Sequence, residues 1–169
     1  ETVQSLESGY LIVTLENHSE EILLLKKYGQ HKKAERTARK DAKYNSNIKQ
    51  AISKNYDYSD VIYTYANKYS DTIIYETIEG EPVTIDTKSD TYLLSFYSTT
   101  NYINDNSEEL MALKITPKYN SFLESSTIYV EAQVNNNLNG YNHLLKKMNE
   151  KLYRLHQSAE DNLVYQQSN

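Results

Sequence analysis

The run Tyr10-Leu-Ile-Val-Thr-Leu15 is apolar and rich in β-branched residues, and it follows the turn-like Ser8-Gly9. It predicts a strand. Glu16-Asn17-His18-Ser19 closes it, with Asn17 or Ser19 placed to cap a following helix. From Ser19 to about Lys54 there is no Pro and one Gly. Within it Ile22, Leu25, Ala34, Ala38, Ala42, Ile48 and Ile52 recur roughly every three to four residues, with two longer gaps. This narrow stripe predicts helix. Unbroken, the helix would be about 50 Å long, more than a small domain covers, so either Gly29 breaks it or one end projects. Asp60-Val-Ile-Tyr-Thr-Tyr65 reads as a second strand, which makes a β-α-β unit and predicts a parallel pair.

After the turn Gly80-Glu81-Pro82, a short strand is expected at Val83-Thr-Ile-Asp86. Three more follow, over Thr91 to Ser98, Leu110 to Thr116 and Thr127 to Val134. Tyr92, Leu94 and Phe96 alternate with polar or outward positions, as do Met111, Leu113 and Ile115, then Ile128, Val130 and Ala132. That is the pattern of a meander with one face against helices. Asn135-Asn-Asn137 reads as a loop. Beyond it Tyr141, Leu144, Leu145, Met148, Leu152 and Leu155 form one face of a helix, with Lys146, Lys147, Glu150, Lys151 and Arg154 mostly turned away. Residues 1–8 and 159–169 are expected to fray, although Leu163 and Tyr165 could add a turn or two. The expected fold is α/β (or α+β), a single domain over residues 1–169. It has a mixed sheet of about five or six strands, a long charged N-terminal helix and an amphipathic C-terminal helix.

Composition changes this picture in one respect: the chain holds 17 Tyr but two Phe, no Trp and no Cys. Tyrosine must therefore contribute to the core, ring inward and hydroxyl towards a partner or water. Lacking Cys, the chain has no thiolate nucleophile, disulfide, Cys-ligated zinc or iron–sulfur cluster, and its four isolated glycines make no phosphate-cradling loop. No apolar run approaches the ~20 residues of a membrane-spanning helix.

Charge is uneven. Between Lys26 and Lys54 there are ten Lys or Arg against Glu35 and Asp41, which is +8, while the whole chain is −5 and the remainder therefore −13. Lys33, Arg36, Lys40 and Lys43 lie near one face at helical spacing. They are the candidate contacts for a polyanion, whether acidic lipid or nucleic acid, although no nucleic-acid motif accompanies them. The plainer reading is a solvated helix whose charges meet the acidic remainder. Tyrosines cluster between Asn55 and Glu76, and Tyr63 and Tyr65 would share one strand face. Paired rings can stack on sugars or unpaired bases, while the plainer reading is a half-buried sheet face.

His18, His31, His143 and His156 have no metal-ligand spacing, and no metal or cofactor is expected. Asp57 with Asp60, Asp86 with Asp90, and Asp105 with Glu108 and Glu109 are the available carboxylate groupings, all in apparent turns. Asn104-Asp-Asn-Ser-Glu-Glu109 lacks the Gly and terminal Glu spacing of an EF-hand and reads as a solvated hairpin loop. No Ser sits in a G-x-S-x-G elbow, so no catalytic set is assigned.

Several segments carry a resemblance: Lys68-Tyr-Ser-Asp-Thr72, Tyr92-Leu-Leu-Ser-Phe-Tyr97, Ala112-Leu-Lys-Ile-Thr-Pro-Lys-Tyr119, Ile128-Tyr-Val-Glu-Ala132 and Leu144-Leu-Lys-Lys-Met-Asn-Glu-Lys-Leu152. In that order they resemble a family of small, functionally uncharacterised exported proteins of Bacteroidetes-type bacteria. The resemblance implies a single α/β domain in the periplasm or outside the cell after signal cleavage, and it transfers no catalytic residue. The start at Glu1, without Met, is expected from either a cleaved export signal or a trimmed start. The leading expectation is a non-enzymatic domain acting through protein or surface contacts, self-association included. The alternatives are a polyanion-binding module using the basic helix, and a hydrolase-like enzyme with carboxylates and Tyr in a cleft.

Overall fold

A computed structural model of the chain describes residues 2–66, 73–85, 90–103, 106–118 and 127–167. The elements run α1 (Thr2–Glu7), β1 (Tyr10–Leu15), α2 (Ser19–Lys27), α3 (His31–Asn55), β2 (Asp60–Tyr65), β3 (Tyr75–Glu76), β4 (Pro82–Val83), β5 (Thr91–Ile103), β6 (Asn106–Pro117), β7 (Ile128–Ala132) and α4 (Leu138–Gln167). One seven-stranded mixed sheet results, in the order β4-β3-β2-β1-β5-β6-β7. β1 lies at its centre, parallel to β2 and to β5, with Val13 opposite Tyr63 on one side and Leu94 on the other. A parallel neighbour needs a crossover, and α2 with α3 supplies it, so the β-α-β unit forms as the sequence predicts. β5, β6 and β7 make the antiparallel meander.

The strand period of two places Leu11, Val13, Leu15, Tyr63, Leu94, Leu113, Ile115 and Val130 on one side of the sheet. There they meet Leu6 of α1, Ile48, Ala51 and Ile52 of α3, and Leu144, Leu145, Met148 and Leu152 of α4 in one buried cluster. Tyrosine takes the place of the missing Phe: Tyr56, Tyr58, Tyr63, Tyr92 and Tyr141 are all buried. The hydroxyls of Tyr56, Tyr58 and Tyr141 find partners at the cluster's margin. Tyr56 meets Ser59 Oγ at 2.8 Å, Tyr58 donates to the Val3 carbonyl at 3.1 Å and meets His156 Nδ1 at 2.9 Å, and Tyr141 donates to Asn136. Burial disfavours the phenolate and pushes Tyr44, Tyr58 and Tyr63 up to about 12.

The structure departs from the sequence reading at several points. Gly29 has φ 72°, a left-handed conformation that suits glycine, and it breaks the helical stretch into α2 and α3. The Gly29 and Gln30 N–H groups close the end of α2 on the carbonyls of Lys26 at 3.0 Å and Leu25 at 2.8 Å. Residues 2–7 are helical rather than frayed, because Leu6 reaches the core and is fully buried. The two-residue strand β3 has no counterpart in the sequence reading and raises the strand number to seven. Its neighbour β4 ends at Val83, and Asp86 lies outside the described residues. Asn106 to Glu109 are strand rather than loop, because each pairs across the hairpin with Ile103 to Thr100 in turn. Residues 104 and 105 lie outside the described residues. α4 continues to Gln167, past the expected fraying point. Leu155 and the stripe members Ala38 and Ala42 are exposed.

Candidate functional site

The helical crossover is where the chain's charge and its shape coincide. α2 packs against α3 and makes no comparable contact with the sheet. Leu25 of α2 and Ala34 of α3 are the buried residues of that hairpin, and the next buried position along α3 is Ile48, which belongs to the core. About 21 Å of helix separates Ala34 from Ile48. From His31 to Lys43 α3 thus stands clear of the core, supported by α2 and by the tie of Asp41 to the loop after β1.

All four sequence-predicted cations, Lys33, Arg36, Lys40 and Lys43, lie on this stretch and are exposed. Arg36, Lys40 and Lys43 border one shallow depression of ≈ 340 Å³ together with Lys32, Arg39 and Glu35. Lys33 lies outside that rim. Glu35 is drawn to Arg39 at 3.7 Å, an exposed pair that leaves the face strongly cationic. Sequence spacing found four of the cations but passed over Lys32 and Arg39, which complete the same surface. It also passed over the exposed Leu23, Leu24 and Tyr28 at the hairpin's far end.

The proposed aromatic pair is not a platform. Tyr63 and Tyr65 do share a strand face, but Tyr63 is 1 % exposed and Tyr65 is 42 % exposed. α3 covers the first ring: Lys49 Nζ stands 4.9 Å from the Tyr63 centroid and bonds Glu76 Oε1 at 3.1 Å. A ring sealed under a half-buried ion pair cannot stack on a ligand.

At the base of the hairpin, the loop after β1 is tied to α3 by two side chains. Asn45 clasps Glu16, accepting its N–H and donating to its carbonyl, both at 2.9 Å. Asp41 accepts the His18 backbone N–H at 3.0 Å and the ring Nδ1–H at 2.8 Å. Asp41 holds the imidazole above its ordinary 6.5, chiefly through that hydrogen bond and against partial desolvation. Glu16 Oε2 lies 3.7 Å from Nε2, and Glu21, Lys40 and Tyr44 border the same hollow. An imidazole oriented by a carboxylate is a familiar acid–base arrangement, yet its outer nitrogen faces another carboxylate and not a hydroxyl. Its chemical capacity is to fix the hairpin's angle. His18 and Asp41 are 23 residues apart in sequence, so no local spacing announces them.

This pin has a pH dependence. Because folding raises the His18 pKa, its stabilisation is full below about 6.5 and fades as pH rises through the folded-state value. Asp41→Asn should therefore lose more stability relative to the parent at pH 5.5 than at pH 8.5, read as urea midpoints at each pH. Equal losses at both would show that the imidazolium adds nothing.

Among the described residues the carboxylate groupings are not assembled into a centre. Asp57 accepts from Asn149 Nδ2 at 2.8 Å and Tyr153 OH at 3.1 Å, a tie between the α3–β2 turn and α4. Asp60 is exposed at the start of β2, while Asp86, Asp105 and the side chains of Glu108 and Glu109 lie outside what the structure describes. Among the described residues no group of three His, Asp or Glu is placed to hold a metal ion, and no helix is long and apolar enough to cross a membrane. No protein-family model, curated protein or solved structure matches this chain.

Proposed function

We propose that this is a non-enzymatic, exported domain that acts by contact, presenting the basic surface of the α2–α3 hairpin to a polyanionic partner. The observation that carries this reading is the coincidence of charge and projection. Six of the ten cations of the +8 segment, Lys32, Lys33, Arg36, Arg39, Lys40 and Lys43, occupy the part of α3 before the core residue Ile48 and are exposed, accessible to a partner. A helix that only packed on the sheet would have no need to extend beyond it. The acidic remainder adds selectivity, because it repels polyanions from every other approach and orients the molecule hairpin-first.

The test is binding of the purified protein to a heparin-like polyanion across a salt series. It is run beside a variant with Lys33, Arg36, Lys40 and Lys43 changed to Glu. If four cations each release a counterion, affinity should fall roughly a hundredfold between 50 and 200 mM salt, and the variant should bind at neither. Salt-independent binding, or equal binding by a folded variant, would remove the basic face from the function.

A further inference from the structure

The far end of the hairpin carries something that a purely electrostatic surface does not need. Leu23, Leu24 and Tyr28 are 65 %, 54 % and 72 % exposed, the most open apolar cluster on the helices among the described side chains. Leu24 and Tyr28 are one turn apart and form a single line along α2, with Leu23 and Lys27 on the adjoining line. Their flank can be placed against α3. Glu21 borders the same hollow as Thr37 and Lys40, and Leu24 and Tyr28 follow Glu21 at helical spacing, as Lys33 precedes Thr37. Leu24 and Tyr28 thus continue outward on the flank that carries Lys33 and Lys40. Lys26, Lys27, Lys32, Lys33 and Arg36 lie within the same end of the hairpin and are all exposed.

Two exposed leucines and a tyrosine on a hairpin end that also carries five exposed cations discriminate among polyanions. A sulfated polymer or a phosphodiester backbone engages the cations and gains nothing from exposed leucine. A lipid surface engages both, since apolar side chains enter the boundary between headgroup and acyl chain while lysines meet the phosphates. We propose that the α2–α3 tip docks on an anionic phospholipid bilayer, with Leu23, Leu24 and Tyr28 entering the interface and the cations of the same end lying at headgroup level. A flat bilayer asks no shape complementarity of its ligand. This inference rests on the reading of the hairpin as the contact surface and names its partner.

The experiment uses the whole chain with vesicles of phosphatidylcholine alone, vesicles containing phosphatidylglycerol, and soluble heparin. Expected are binding to the anionic vesicles and none to the neutral ones. The variant Leu23→Ser/Leu24→Ser/Tyr28→Ser should lose at least about tenfold in vesicle affinity and keep its heparin affinity. The chain has no Trp, so Tyr28→Trp provides a single reporter whose emission should shift to the blue on anionic vesicles. Binding to heparin but not to vesicles overturns the lipid proposal and leaves the polyanion reading standing. Loss of both overturns both. An unshifted Tyr28→Trp spectrum, or a serine variant that binds vesicles like the parent, overturns insertion. Should the parent prove a dimer that the serine variant cannot form, with no vesicle binding, a second copy covers the tip and the proposal fails.

Discussion

Tyr63→Ala should lower the stability of the protein by about 3–5 kcal/mol, the range for truncating a buried aromatic ring. Tyr63 is among the largest fully buried side chains, seated between Val13 of β1 and Glu76 of β3 in the register of the sheet. The void left by the ring would open beneath the Lys49–Glu76 pair, which bonds at 3.1 Å. Against a total of about 5–15 kcal/mol for a domain, such a loss is a large fraction. Tyr63→Phe keeps the ring and removes only the hydroxyl, so it should cost less than about 1.5 kcal/mol. Urea unfolding separates the two, with a lowered midpoint at unchanged slope for Tyr63→Ala and a small shift for Tyr63→Phe. Were the alanine variant as stable as the parent, the ring would not belong to the core and its role as a contact residue would reopen.

Gly140→Ala should destabilise by about 2 kcal/mol, against the sign that helix propensity alone gives. Gly140 is the third residue of α4, and exchanging Gly for Ala inside a helix ordinarily gains up to about 1 kcal/mol. Here a Cβ would stand 2.0 Å from the Asn135 carbonyl oxygen and 3.1 Å from its carbon. The obstacle is backbone and cannot swing aside. The turn is already committed, since Asn135 O accepts the Asn137 N–H at 2.8 Å while Asn137 Oδ1 caps the helix on the Gly140 N–H at 3.1 Å. Asn139→Ala, at the exposed neighbouring position, is the control in which propensity acts without the clash. Thermal melts should place Gly140→Ala below the parent by about 4–8 °C. A melting point at or above the parent's would mean that the turn yields at no cost.

These two sites also mark how far the sequence could be read. Alternation put Tyr63 and Tyr65 on one face, which is correct, but a strand pattern carries no record of which helix covers that face or where the cover stops. That boundary is set by Lys49 and Glu76, from other elements. The long stripe of α3 and the face of α4 were legible because helical period and length reinforce each other. α1 was not, since six residues with one fully buried side chain make no stripe. Asn106 to Glu109 were read as loop from their polarity, and pairing with the facing strand outweighed that local preference. Among the candidate residues, Lys33, Arg36, Lys40 and Lys43 could be found because charge on one helix repeats locally. The apolar tip could not, because Leu23 and Leu24 look in sequence like the core residues Leu144 and Leu145. Only their position, on a helix packed against α3 and not against the sheet, separates them.

The central place of β1 sets an order of events in time. Tyr10 must wait for Asp60 to be synthesised before it has a neighbour on one side, and for Thr91 before it has one on the other. The β5–β6 ribbon, in contrast, closes from Ile103 and Asn106 outward with almost no loop to order. A refolding chain should therefore hold that ribbon and the helical hairpin early, with the docking of β1 between two distant strands as its slow, entropy-limited step. Until then Tyr10 to Leu15 offers two unpaired strand edges, and in a nascent or stressed chain it is the segment most exposed to capture by chaperones or by other copies of itself.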